Sequence, residues 1–278
     1  MNAARALAGA AARLRSAGVS DPAGDARRLL ADALEVAPGR LTLHLPEALP
    51  EGAAARLEAA VDRRAAGVPV AQITGQRLFW GRRFTVTGEV LDPRPESEAL
   101  ISAALEAPFD RVLDLGTGTG CLLLTLLAER ERAIGLGTDI SAAALDVAGE
   151  NAQRLDVAGR VRLVRGDWWA PVAGRFDLIV ANPPYIAAQE MAALTPELAH
   201  EPPAALSPGA DALAAYRAIA RGLAGHLASG GRALLEVGAG QAQEVAALLG
   251  AVGETATRRD LDGRARVVTV VKRRAGAA

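Results

Sequence analysis

Arg111-Val112-Leu113-Asp114-Leu115-Gly116-Thr117-Gly118-Thr119-Gly120 is a short apolar run that ends in a glycine-rich turn. An apolar run of this length read against flanking glycines is a buried strand, and residues 121–131 after it have the length and composition of a helix. Downstream the alternation repeats. Residues 133–138 read as a second strand, 141–155 as a helix, and 161–165 and 176–181 as third and fourth strands. A helix at 213–227, a strand at 232–237, a helix at 241–249 and a strand at 267–271 complete the pattern. Strands alternating with helices imply an α/β fold with a mainly parallel, doubly wound, Rossmann-like sheet. Right-handed crossovers then bring the ends of the first two strands to one crevice, where such sheets bind ligands.

Upstream the texture differs. Residues 1–69 read as a small helical domain, either a partner-binding module or a cap. Asp21-Pro22 is an N-cap and first-turn pair for a helix that carries Leu29, Leu30 and Leu34 on one face. Residues 51–66 repeat the pattern, with Leu57 and Val61 four apart and arginines opposite. Pro38-Gly39 and Leu45-Pro46 break the helices. Residues 70–98 read as a β-hairpin connector, with strands at 78–81 and 84–87 around Gly81 and with Pro93 and Pro95 ending it. Residues 99–278 form the α/β domain.

Composition removes several function classes. The lone cysteine, Cys121, excludes an internal disulfide and fits a reducing compartment, so the expected location is cytoplasmic. His44, His200 and His226 are scattered without zinc-ligand spacing, and no metal is expected. Lys272 is the only lysine, which leaves no residue for Schiff-base or P-loop chemistry in the body of the chain. Lysine plus arginine is 31 against 32 acids, a formal net charge of −1, whereas a chain that grips a duplex by its phosphates usually has a basic excess. Neither a membrane-spanning apolar run nor a signal peptide is read in the chain.

A bare Gly-x-Gly-x-Gly turn is a weak signal, and its surroundings strengthen it. Asp139 closes the next strand, about twenty residues on, where a carboxylate can accept from both hydroxyls of a ribose. The alternative role for Asp139 is an N-cap for the helix that starts at Ser141. The third glycine stands too early to hold a pyrophosphate, which argues against a nicotinamide dinucleotide. Asp167-Trp168 after the third strand offers an acceptor for an adenine amino group and a flat face for its ring, and only one of Trp168 and Trp169 is expected to face a ligand. Core filling is the alternative for either tryptophan.

The strand Phe176-Asp177-Leu178-Ile179-Val180-Ala181 delivers Asn182-Pro183-Pro184-Tyr185 to the carboxyl edge of the sheet. Two successive prolines fix φ and remove two N–H donors, so the backbone there is stiff and rich in acceptors. An amide or aniline-like NH₂ is a poor nucleophile because its lone pair is delocalised. Accepting its two N–H bonds at the Asn182 side-chain oxygen and the Pro183 carbonyl pins the group and favours lone-pair density on nitrogen. Tyr185 can stack on the flat substrate group and exclude water. In-line attack on a methyl sulfonium then needs positioning and electrostatics rather than a strong base. This predicts a methyltransferase that uses S-adenosylmethionine and yields S-adenosylhomocysteine. A Pro-Pro pair alone is only a stop signal; the flanking Asn and Tyr, and the glycine turn after the first strand, give it chemical content.

Several further segments resemble the PrmC/HemK family of bacterial release-factor glutamine methyltransferases over nearly the whole chain. They are Arg63-Arg64-x-x-Gly67-x-Pro69, Leu91-x-Pro93-Arg94-Pro95-Glu96-Ser97-Glu98, Glu201-Pro202-x-x-Ala205-Leu206, Tyr216-Arg217-x-Ile219, Glu236-x-Gly238-x-x-Gln241 and Asp260-x-x-Gly263-x-x-Arg266-Val267-Val268. The resemblance implies a class I methyltransferase domain over 99–278 and a substrate glutamine in the Gly-Gly-Gln loop of class-1 peptide chain release factors. It implies that Gly116, Thr117, Gly118, Thr119, Gly120, Asp139, Asp167, Trp168 and Asn182 contact the cofactor. It implies that Asn182, Pro183, Pro184 and Tyr185 hold the glutamine amide, with Asn182, Pro183 and Tyr185 as the catalytic set; a monomer is expected, with neither membrane nor nucleic acid as a partner. Asp92 and Gln72 depart from the family pattern, as does residues 207–213, and Arg94 and Glu201 read as an ion pair ahead of substrate contacts. The rivals are a DNA adenine-N6 methyltransferase with the same pocket, a ribosomal-protein glutamine methyltransferase, and a non-catalytic binding protein that keeps the fold.

Overall fold

The computed structural model describes residues 2–260 and 262–273. Met1 and residues 274–278, the outer ends of the first and last segments expected above, lie outside the described residues. The chain forms two compact units: residues up to 76 together with Thr195–His200, and Arg77–Leu194 together with the chain from Glu201 onward.

The first unit is helical, with α1 (Ala3–Ser16), α2 (Pro22–Ala33), α3 (Leu41–His44), α4 (Ala53–Ala65) and α5 (Val70–Thr74). Asp21 caps α2 by accepting from Gly24 N at 3.0 Å, and Pro22 occupies the first turn, where its missing N–H costs nothing. Leu14, Leu29, Leu30, Leu57 and Val61 pack its core. One ion pair is buried there: Arg64 Nε donates to Asp25 Oδ2 at 2.6 Å, and Arg64 Nη2 reaches Glu197 Oε1 at 2.8 Å. Gln72 Nε2 donates to His200 O at 2.9 Å, so a side chain that departs from the family pattern holds the 195–200 segment by its backbone.

In the second unit, β1 (Gln76–Phe79) and β2 (Arg82–Thr85) form a two-stranded hairpin. The expected strands lie about two residues later. The reason is a two-residue turn in which Trp80 and Gly81 both have positive φ, 48° and 71°, the geometry that matches the twist of a tight hairpin. There follow α6 (Glu98–Leu105), β3 (Arg111–Leu115), α7 (Cys121–Glu129), β4 (Ile134–Asp139), α8 (Ala142–Arg154), β5 (Val161–Arg165) and β6 (Phe176–Ala181). Then come α9 (Pro203–Leu206), α10 (Ala214–His226), β7 (Leu227–Glu236), α11 (Ala242–Leu249), β8 (Gly253–Arg259) and β9 (Ala265–Lys272).

The main sheet has the order β5-β4-β3-β6-β7-β9-β8. β5, β4, β3, β6 and β7 pair in parallel, and β9 is antiparallel to both β7 and β8. Chain order runs outward from β3 to β5 on one side and resumes at β6 on the other. The switch point therefore lies between β3 and β6, where open sheets of this kind leave a crevice at the carboxyl ends. Side chains alternate between two cores: Val112, Leu178, Val180 and Leu234 pack on one face with α6 and α7, and Leu113, Ile179, Ala181 and Leu235 on the other with α10 and α11. The β8 strand was not foreseen. It is an edge strand whose Glu254, Arg258 and Arg259 are exposed, so it carries no apolar run to read. Among the described residues, no helix is long and apolar enough to cross a membrane.

Candidate active site

Strand register assembles the site. Leu115 pairs with Thr138 on one side and with Ala181 on the other, and Ala181 pairs with Leu235. One residue further, Asp139, Gly116, Asn182 and Glu236 therefore leave four adjacent strands in a single row at the carboxyl edge. A cavity of about 520 Å³ opens there, within the second unit. Its wall includes Gly116, Thr117, Gly118, Thr119, Asp139, Asp167, Trp168, Asn182 and Pro184.

The glycine turn is built for a close approach. Gly116 and Thr117 N–H groups both donate to Thr138 O at 2.9 Å, tying the turn to β4. Gly116 and Gly118 have φ of 74° and 52°, and a Cβ on either would meet no protein atom within 4 Å. The space beside them belongs to the cavity. Gly120 differs: a Cβ there would lie 2.8 Å from Leu124 Cδ1, so this glycine serves helix packing.

Asp139 clamps the turn, with Oδ2 accepting from Gly118 N and Oδ1 from Ser141 N, each at 2.9 Å. It does not cap the next helix. That helix starts at Ala142, and Ser141 caps it by accepting from Ala144 N at 3.1 Å. Each Asp139 oxygen keeps a lone pair beyond its backbone bond. Asp114, in the neighbouring strand β3, is buried; its Oδ2 accepts from Thr117 Oγ1 at 2.7 Å, and its Oδ1 has no hydrogen-bond partner among the described residues. Burial pushes its carboxyl up to about 7, against the Thr117 bond and with the help of the Asp139 charge. An open glycine cradle, a bifurcated carboxylate and an indole face suit a ligand with a ribose, a purine and a cationic centre, and S-adenosylmethionine has all three.

Trp168 and Trp169 meet different surroundings. Trp168 faces the cavity with a φ of 43°, a conformation a bulky residue rarely holds without support. Trp169 turns inward, donates from Nε1 to Ala218 O at 3.0 Å and stacks on His226 at 4.8 Å between ring centroids.

Of the Asn-Pro-Pro-Tyr segment, Asn182 and Pro184 line the cavity, while Pro183 is buried and Tyr185 half-buried beside it. The segment is pinned by its backbone. Tyr185 N donates to Leu206 O at 3.2 Å, and Tyr185 O accepts from Gln241 Nε2 at 2.9 Å. The same Gln241 accepts through Oε1 from Gly238 N at 3.1 Å. Burial first, and the nearby Glu236 charge second, push the Tyr185 hydroxyl up to about 12, so it stays protonated at neutral pH. Cys121 also lines the cavity, and burial pushes its thiol up to about 12 as well, which removes it as a thiolate nucleophile.

Arg94 and Glu201 are an ion pair, Nη2 to Oε2 at 2.6 Å, and Arg94 is also a cavity residue. Asp92, the charged residue in an apolar place, is buried with its Oδ1 3.4 Å from Arg77 Nε. Ser97 and Glu236, which stand in two of the family-like segments without a role there, have side chains that adjoin Asn182. The available signal was position: Glu236 ends β7 in the same row as Asn182.

Over 78% of this chain and 98% of the other, the structure is similar to a crystal structure of a methyltransferase from Pyrococcus furiosus, with a TM-score of 0.53 at 16% identity. The fold is the Rossmann-like fold of class I S-adenosylmethionine-dependent methyltransferases with a small N-terminal helical region. A family profile described as methyltransferase small domain matches residues 91–221, and one described as PrmC N-terminal domain matches residues 5–75. Among relatives, the release factor glutamine methyltransferase of Cereibacter sphaeroides is 60% identical, covering 97% of this chain and 98% of its own. That of Rhodospirillum rubrum is 44% identical, covering 95% and 83%, and that of Moorella thermoacetica 43% identical, covering 90% of each. The chain belongs to the PrmC/HemK family of release factor glutamine methyltransferases.

Proposed function

We propose that the protein transfers a methyl group from S-adenosylmethionine to the side-chain amide nitrogen of the glutamine in the Gly-Gly-Gln loop of class-1 peptide chain release factors. The observation that carries this reading is full-length identity of 60% to a release factor glutamine methyltransferase. When bound, S-adenosylmethionine supplies a methyl carbon on a positively charged sulfur. Gly116, Thr117, Gly118 and Thr119 bring backbone against it, while Gly120, expected among its contacts, packs on Leu124 instead; Asp139 accepts from its ribose, and Asp167 and Trp168 take its adenine. Asn182 belongs to both halves of the site.

The chain's own part in the reaction is to hold a weak nucleophile still and dry. Asn182 Oδ1 and the Pro183 carbonyl accept the two N–H bonds of the glutamine amide, and Pro184 and Tyr185 flank its plane. Fixing the amide in line removes much of the entropic cost of meeting the methyl group, an effect that reaches about 7–11 kcal/mol in well-oriented systems. The enzyme acts as a monomer in the cytoplasm, where release factors work, and the helical unit of residues 1–69 serves to hold that large partner. Residues 70–98, expected to be a hairpin throughout, begin with the helix α5 and hold the hairpin only at β1 and β2, and they connect that unit to the methyltransferase domain of 99–278.

Incubation with labelled S-adenosylmethionine and, separately, a purified release factor, its Gly-Gly-Gln to Gly-Gly-Ala variant, and duplex DNA tests the assignment. Label should enter only the intact release factor. Label in DNA, or label that survives loss of the loop glutamine, would overturn the substrate.

A further inference from the structure

Two buried polar side chains lie beside Asn182 and have no part in the reading above: Ser97, 2% exposed, and Glu236, 1% exposed. Register places Glu236 next to Asn182, and strand alternation turns both toward the face where Val180 and Leu234 pack. Ser97 reaches the same face from the start of α6. A serine at that position usually caps the helix, but its hydroxyl caps no backbone N–H here. Instead Ser97 Oγ lies 2.5 Å from Glu236 Oε2 and 3.5 Å from Asn182 Nδ2.

The charge at the buried end sets the direction of this chain of bonds. An ionised carboxylate only accepts, so Ser97 Oγ–H donates to Glu236. The Ser97 oxygen then has only lone pairs left, and the end of the Asn182 amide that meets it must be the NH₂. That turns Asn182 Oδ1 away from Ser97 and frees it to accept. We propose that Ser97 and Glu236 are positioning residues that hold the Asn182 amide with its oxygen, not its nitrogen, toward the substrate amide. This rests on the reading of Asn182 as acceptor for the substrate NH₂. A half-turn of the Asn182 amide would set a donor against a donor.

The charge state of Glu236 is poised. Burial pushes its carboxyl up to about 7, against the Ser97 hydrogen bond and the charge of Arg266, with Glu96 raising it further and Arg94 opposing. Tyr185, Tyr216 and the Cys121 thiol are the other titratable groups within its field, and all three stay neutral near pH 7. A protonated Glu236 can donate to Ser97, which frees the serine hydrogen for Asn182 and lets the amide turn over. Activity then falls as pH drops through the Glu236 transition.

The test is methyl transfer to release factor across pH 5.5–9 by the parent, Ser97→Ala, Ser97→Thr, Glu236→Gln and Asn182→Ala, with S-adenosylhomocysteine affinity measured for each. Ser97→Ala and Glu236→Gln should lower kcat by about tenfold or more while KM and affinity stay within about twofold. Ser97→Thr, which keeps the hydroxyl, should restore most of the rate. Glu236→Gln should also lose the parent's acid limb. Parent-like kcat and an unchanged acid limb in Glu236→Gln would overturn the proposal. If that variant does not fold, Ser97→Ala and Ser97→Thr decide it: equal rates in the two would overturn it. An active Asn182→Ala would instead sink the acceptor reading on which the proposal stands.

Discussion

Asn182 carries an amide whose two ends are nearly the same size and opposite in hydrogen-bonding sense, so in the proposed reaction its orientation decides what it can do. Asn182→Ala should abolish transfer to release factor and change S-adenosylhomocysteine affinity by no more than about twofold, measured by calorimetry; a large loss of affinity would make Asn182 mainly a wall of the cofactor pocket. Gly118 makes the complementary case. Its φ of 52° strains any residue with a Cβ, at about 1–2 kcal/mol, and the added methyl would enter the cavity rather than strike protein. Gly118→Ala should therefore lower stability modestly in urea and weaken cofactor binding more than tenfold. A variant with parent affinity would show that the ligand does not pass close to this backbone. The motif residues were legible because glycine, proline and asparagine have few other reasons to cluster at strand ends. Ser97 and Glu236 were legible as members of family-like segments but their roles were not, since a serine before a helix reads as a cap and a glutamate at a strand end shows no sign of burial.

At the scale of elements, β3, β4, β5 and β6 were readable to within a residue because their apolar runs are short, continuous and bounded by glycine or polar residues. By contrast, β7 begins at Leu227, five residues before the expected 232–237, across a Ser-Gly-Gly stretch with no apolar run. The exposed β8 has no such run, and the hairpin strands were displaced because nothing in Trp80 announces a positive φ. The 195–200 segment belongs with the helical unit through Glu197 and His200, a long-range pairing that no local pattern signals. Energetics separate the ion pairs of that unit. Arg13 with Glu58 and Asp62 is exposed, and its removal should cost under about 1 kcal/mol. Asp25 and Arg64 have side chains 7% and 5% exposed, so Asp25→Ala leaves a buried guanidinium with only part of its compensation. It should lose about 3 kcal/mol in urea unfolding, and Asp25→Ala with Arg64→Met should recover part of that. A loss as small as that of Arg13→Ala would mean that water reaches the pair.

For the molecule as a whole, buried carboxyls tie stability to pH. Asp114 and Glu236 keep their protons up to about pH 7 when folded and release them near 3.8 and 4.5, the ordinary values, when unfolded. Across that window the folded state binds more protons, so stability falls as pH rises, by at most about 1.4 kcal/mol per pH unit for each group. Asp21, Glu197 and Asp260, held below their ordinary values, act in the opposite sense at more acidic pH. Unfolding free energies measured from pH 5 to 8 should decline less steeply in Glu236→Gln than in the parent, and parallel slopes would mean that Glu236 is already charged in the fold at pH 5. The row formed by Asp139, Gly116, Asn182 and Glu236 has a consequence for how such a chain can vary. Hydrogen-bond register across the sheet addresses these four residues, and their distances along the chain do not. Connections between strands can lengthen or shorten freely while the row stays intact. A single residue inserted inside β6 would turn Asn182 to the opposite face, toward the core beneath α10 and α11, and silence the enzyme with every motif still present in its sequence.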